Sequence, residues 1–153
     1  MKIKQVLALE CVEARLKATN KDEAIRELAE MMSKTCLEVS ADEIYKILVE
    51  REQLGSTGIG NGVAIPHGKL PTLNQIVTGF ARSVEGVAFD SQDGKPAHLF
   101  FVLLAPGNAA SLHLKTLARL SRLLKDVHFR NKLIEAKDGT EIFNDIISED
   151  EKF

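Results

Sequence analysis

Two histidines carry the most promising chemistry in this sequence. His67 follows Val63-Ala64-Ile65-Pro66 and precedes Gly68. The tetrapeptide reads as a short buried strand, because proline forces its predecessor into extended geometry and cannot sit inside a helix. His67 is therefore expected at a strand end, with its approach fixed by Pro66 and one side kept free of bulk by Gly68. A neutral imidazole, with an unperturbed pKa of about 6.5, is a good nucleophile near pH 7. The alternative is a hydrogen-bonded structural histidine. His113 projects onto the same face of a predicted helix as Leu117, Leu120 and Leu124, and so points toward the protein body. It is either a core histidine with one satisfied nitrogen or part of a pocket at the helix N-terminus, where free N–H groups favour a bound phosphate.

The segment just before His67 places four glycines within Gly55 to Gly62. Gly55-Ser-Thr-Gly-Ile-Gly60 has P-loop spacing, but Asn61 and Gly62 stand where that motif needs Lys and then Ser or Thr. A dinucleotide fingerprint fails too, because Val63 replaces its third small residue and the run leads into a strand instead of a helix. What remains is a permissive loop, either a tight connection or a cradle. No pair of histidines or carboxylates has the spacing of a helical metal site, so no metal is expected. Ser56 or Thr57 could be drawn into a hydrolase triad with His67, but no nucleophile-elbow pattern supports it.

These residues must be held by surrounding elements. Val12, Ala14 and Leu16 alternate with Glu13, Arg15 and Lys17, predicting a half-buried strand. Asn20 with Glu23 starts a helix that carries Ile25, Leu28, Ala29 and Met32 to about Thr35, and Ser40 with Glu43 starts a second that fades near Leu54. Ile76 to Val84 and Ala97 to Leu104 are strands separated by a turn at Asp90 to Gly94. Helices follow over about 109–124, about 127–136, and around Thr140 to Ile147. Strands interspersed with helices predict an α/β fold in a single domain over 1–153, with a mixed β-sheet flanked by helices; the expected pairing of the two long strands makes at least one antiparallel pair.

Composition bounds the function. The 153 residues are 44% hydrophobic, 27% charged and 5% aromatic, with no Trp and a net charge of -2. Such a chain suits one ordinary soluble domain, offers few rings for stacking bases, and lacks the positive excess that non-specific nucleic-acid binding needs. Cys11 and Cys36 are too few for a disulfide scaffold or a zinc site, which fits a reducing cytoplasm. The longest apolar run, Leu99 to Ala105, is far short of the roughly 20 residues of a spanning helix, so no membrane insertion is expected. Lys115, Arg119, Arg122, Lys125, Arg130 and Lys132 cluster late in the chain as a basic face that is either merely solvated or open to an acidic partner.

The run from Arg51-Glu52 through Gly60, Ala64-Ile65-Pro66-His67-Gly68 and Lys69 resembles the active-site signature of the type-2 enzyme IIA domains of the bacterial phosphoenolpyruvate-dependent phosphotransferase system, the fructose and mannitol class. Similarity extends over nearly the whole chain and is greatest to the nitrogen-regulatory branch. The resemblance implies a type-2 IIA fold and a free-standing IIA. It further implies that His67 accepts a phosphoryl group on Nε2 from an HPr-type phosphocarrier protein, with His113 and Arg51 lining the same pocket. Gly58, Gly60 and Gly68 would give the partner access, Thr57 would be a hydroxyl donor to the phosphoryl group, and no cofactor would be needed. Downstream, the resemblance leaves regulatory target proteins or a IIB domain as recipients, and a module that only binds proteins as the third possibility.

Overall fold

The computed structural model describes residues 1–36 and 38–152. After a 3-10 turn at Ile3–Gln5 come β1 (Leu7–Glu13), α1 (Lys21–Met32), α2 (Ala41–Gln53), β2 (Gly58–Gly60), β3 (Val63–Ala64) and β4 (His67–Lys69). The chain continues through β5 (Val77–Val87), β6 (Ala97–Ala105), α3 (Ala110–Leu124), α4 (Val127–Glu135) and α5 (Gly139–Asp150). Asn20 and Ser40 cap α1 and α2 as expected, each accepting from the backbone N–H three residues on.

The strands form one mixed sheet in the order β1-β5-β6-β3-β2, with β4 following β3 along the same edge of β6. β5 and β6 are the expected antiparallel pair, while β1 runs parallel to β5, and β3 and β4 run parallel to β6. Central β6 is buried on both faces and alternates between them. Phe100, Val102 and Leu104 pack with Leu28, Ile44 and Leu48 of α1 and α2, whereas Leu99, Phe101 and Leu103 pack with Leu120, Leu133 and Ile142 of α3, α4 and α5. The result is a sheet between two helical layers.

Three expectations need correction. The first strand runs over Leu7–Glu13, not through 12–17. Its buried positions, Leu7 and Cys11, are four apart, and its register to β5 is broken by a bulge between Leu7 and Val12, so the alternation over 12–17 misplaced it. The glycine segment is no plain loop, since β2 and β3 form a hairpin closed by Asn61 (φ +58°) and Gly62 (φ +76°). That positive-φ pair is what a type I′ turn requires, and Asn-Gly is its strongest short signal. Finally, His67 opens its own short strand. Ile65 and Pro66 interrupt the edge between β3 and β4, and the Pro66 carbonyl keeps contact with β6 by accepting from Leu103 N–H at 3.0 Å.

Part of the late basic cluster is engaged within the fold, while Lys115 and Lys125 are exposed. Arg119 pairs with buried Asp150 at 2.5 Å, Arg130 donates to the carbonyls of Leu124 and Lys125 at the end of α3, and Lys132 lies 4.0 Å from Asp145. Among the described residues no helix is long and apolar enough to cross a membrane.

Candidate active site

Strand β4 presents its side chains to the two layers in turn. Gly68 faces α2, where a Cβ would lie 2.4 Å from Ile47 Cγ2, and the neighbouring His67 meets α3. There it packs edge-on against His113, with ring centroids 5.5 Å apart and planes at 83°. The sequence placed His113 on the buried face of its helix, and it is 7% exposed. Its Nε2 is buried and finds no hydrogen-bond partner among the described residues. A buried imidazole nitrogen without a partner is costly unless a ligand or water completes it.

Both ring nitrogens of His67 are engaged. Nδ1 lies 2.7 Å from the carbonyl oxygen of Ile65, and Arg51 Nε–H donates to Nε2 at 3.2 Å. A carbonyl only accepts and a guanidinium only donates, so the two partners fix the tautomer: the proton sits on Nδ1 and the lone pair on Nε2. Burial lowers the His67 pKa below its usual value, with the Arg51 charge adding to this, against opposing contributions from the Ile65 carbonyl and Glu52. His113 is likewise held low by burial first, then by His67 and Lys69. At neutral pH the site therefore holds two uncharged imidazoles beside a fixed guanidinium, with the nucleophilic lone pair directed at the cation. Such a site suits an electrophile that brings negative charge with it.

Arg51 reaches the site from the last turn of α2, its Nη1 donating to the Gly55 carbonyl at 2.9 Å. Thus His67, His113 and Arg51, distant in sequence, converge. The other expected contributors are placed differently. Thr57 is 4% exposed and its hydroxyl is bonded to the Glu52 carboxylate, so it faces the interior instead of serving as an open donor. Gly58 abuts Ser91, Gly60 turns at φ +95° beside Asp93, and both are buried; close packing and turn geometry require glycine there. Glu52, which belongs to the signature run but was given no role of its own from the sequence, lies next to Arg51 in the chain and accepts from the Thr57 backbone N–H and hydroxyl.

A family model described as "Phosphoenolpyruvate-dependent sugar phosphotransferase system, EIIA 2" matches residues 5–149. The chain belongs to this family. It is 41% identical over 144 residues to the nitrogen regulatory protein of Bradyrhizobium diazoefficiens, covering 94% of each. It is also 36% identical over 153 residues to the fructose-specific EIIABC component of Bacillus subtilis, covering 99% of this chain and 24% of that one. The crystal structure of the nitrogen regulatory protein IIA-Ntr of Neisseria meningitidis superimposes with a TM-score of 0.88 at 32% identity, covering 94% of this chain and 98% of the other. The EIIA type-2 fold expected from the sequence is thereby shown, with relatives in both nitrogen-regulatory and sugar-transport branches.

Proposed function

We propose that this EIIA domain is a histidine phosphocarrier that accepts a phosphoryl group on His67 Nε2 from an HPr-type protein, in a regulatory branch of the phosphotransferase system. The supporting observation is the His67 tautomer, whose Nε2 lone pair is directed at Arg51. In the transfer, Nε2 attacks the phosphorus in line. The Nε2–P bond forms as the donor's N–P bond breaks, and the proton stays on Nδ1, hydrogen-bonded to the Ile65 carbonyl. Arg51 gives up the lone pair and turns its guanidinium to the equatorial oxygens, while His113 lies beside the same group. Catalysis here needs positioning and charge, with no metal or cofactor called on.

The full-length likeness to nitrogen regulatory proteins supports regulation, with target proteins reading the phosphorylation state. The likeness to a fructose EIIABC component supports a second reading, onward transfer to a IIB domain. Incubation with radiolabelled phosphoenolpyruvate, enzyme I and an HPr-type carrier should give an acid-labile, alkali-stable label. The label should vanish in His67→Ala and form more slowly in a folded His113→Ala. Undiminished labelling of His67→Ala would end the assignment. Rapid transfer to one of a panel of IIB domains would favour transport over regulation.

A further inference from the structure

Behind His67 runs a continuous chain of polar contacts that the transfer chemistry does not itself use. It begins at a buried ion pair, where Lys21 Nζ, at the first turn of α1, lies 2.7 Å from Glu52 Oε2; the contact is one of charge and not a well-directed hydrogen bond. The Glu52 side chain is only 5% exposed. Its other oxygen accepts from both the backbone N–H of Thr57, at 2.8 Å, and the Thr57 hydroxyl. The Thr57 carbonyl accepts from Ile65 N–H at 3.0 Å, and the Ile65 carbonyl accepts from His67 Nδ1–H. One residue, Ile65, thus ties the histidine to Thr57 through its N–H and its carbonyl, and Thr57 is tied to a carboxylate anchored by another helix.

From this we infer that Glu52, anchored by Lys21, is a positioning residue for phosphoryl transfer. Through Thr57 and Ile65 it holds the carbonyl that keeps the proton of His67 on Nδ1 and the lone pair on Nε2. The inference rests on the reading of His67 as phosphoryl acceptor. Its logic is that of any nucleophile whose second nitrogen is held by a fixed partner: an imidazole free to exchange tautomers presents the wrong nitrogen part of the time. Glu52 also adjoins Arg51, so the same carboxylate anchors the turn from which the guanidinium reaches Nε2. Lys21 is steadied in turn by Asp90 at 3.4 Å and by the Phe89 ring, whose centroid is 5.0 Å from its Nζ.

The test combines imidazole nitrogen NMR, which reads the tautomer without phosphorylation, with rapid-quench labelling by a phosphorylated HPr-type carrier. Wild-type protein should show a single Nδ1–H form of His67. In Glu52→Ala the Nε2–H form should become populated and the transfer rate should fall between about 10- and 100-fold, with the apparent KM for the carrier unchanged. Lys21→Met should shift both readouts in the same direction by less, and Lys21→Arg should restore them. A Glu52→Ala protein with wild-type tautomer and rate overturns the inference. Should Glu52→Ala fail to fold, an unshifted tautomer in Lys21→Met overturns it instead. Failure of the wild-type protein to take label on His67 would instead overturn the phosphocarrier reading, whatever the tautomer shows.

Discussion

The reactivity of His67 is set by what surrounds one five-membered ring. Burial and Arg51 favour the neutral imidazole, so His67, in the proposed role of phosphoryl acceptor, would keep its attacking form in water more acidic than a free histidine tolerates. The rate of phosphoryl acceptance, followed against pH with the carrier's own titration subtracted, should fall on acidification with a midpoint below 6.5, the ordinary histidine value. A midpoint at or above that value would contradict the burial argument. The sign for stability follows from the same shift. As pH drops below 6.5, the unfolded chain takes up its proton before the folded one does, so the contributions of His67 and His113 to stability are lost progressively down through their lowered folded-state pKa values.

At the scale of elements, the site depends on how closely α2 approaches β4. Gly68 has an ordinary backbone conformation, so its constraint is space: an added Cβ would lie 2.4 Å from Cγ2 of Ile47, a β-branched side chain with little rotamer freedom. Gly68→Ala should therefore push α2 away from β4, costing about 1–3 kcal/mol in denaturant titrations and slowing transfer, because Arg51 travels with α2. Ile47→Ala in the same chain should recover part of both losses, and a double-mutant cycle would show the coupling. Additive effects would place the glycine's role elsewhere. The β2–β3 hairpin works at this scale too, since its fixed turn sets Thr57 opposite Ile65, the pairing on which the His67 carbonyl contact depends.

Across the whole molecule, Arg82 of β5 joins parts that lie far from the site. Only 5% exposed, it donates to the carbonyls of Ala14, Leu133, Ile134 and Ala136, closing the end of α4 against the segment that leaves β1. Arg82→Met leaves several buried acceptors unpaired and should cost about 3 kcal/mol or more, a fall in Tm of roughly 6–12 °C for a chain of this size. Labelling of His67 at low temperature should survive the change, because the site's contacts run through α2, β4 and α3. Calorimetry and labelling on the same preparation would check both halves, and loss of label in a folded variant would mean that the two regions are coupled.

Much of this was legible in the amino-acid order. Asn20 and Ser40 announced two helices because capping is a local matter of one side chain and one N–H, and β5 and β6 were visible as long apolar strands bounded by turn residues. His67 was marked by its Pro and Gly neighbours, and His113 by its place on an apolar helix face. Less legible were the short pieces: β2 and β4 have three residues each, too few for a period to show. Thr57, expected as a hydroxyl donor to the phosphoryl group, has its hydroxyl bonded to the Glu52 carboxylate, a contact that only the folded chain makes. What the sequence determined by itself was local conformation and the kinds of reactive group available. Which nitrogen of His67 keeps its proton, and that Arg51, His113 and the Lys21–Glu52 pair gather around it, was decided by tertiary structure, because those contacts join α1, α2, β4 and α3 across the sheet and no stretch of chain contains them all.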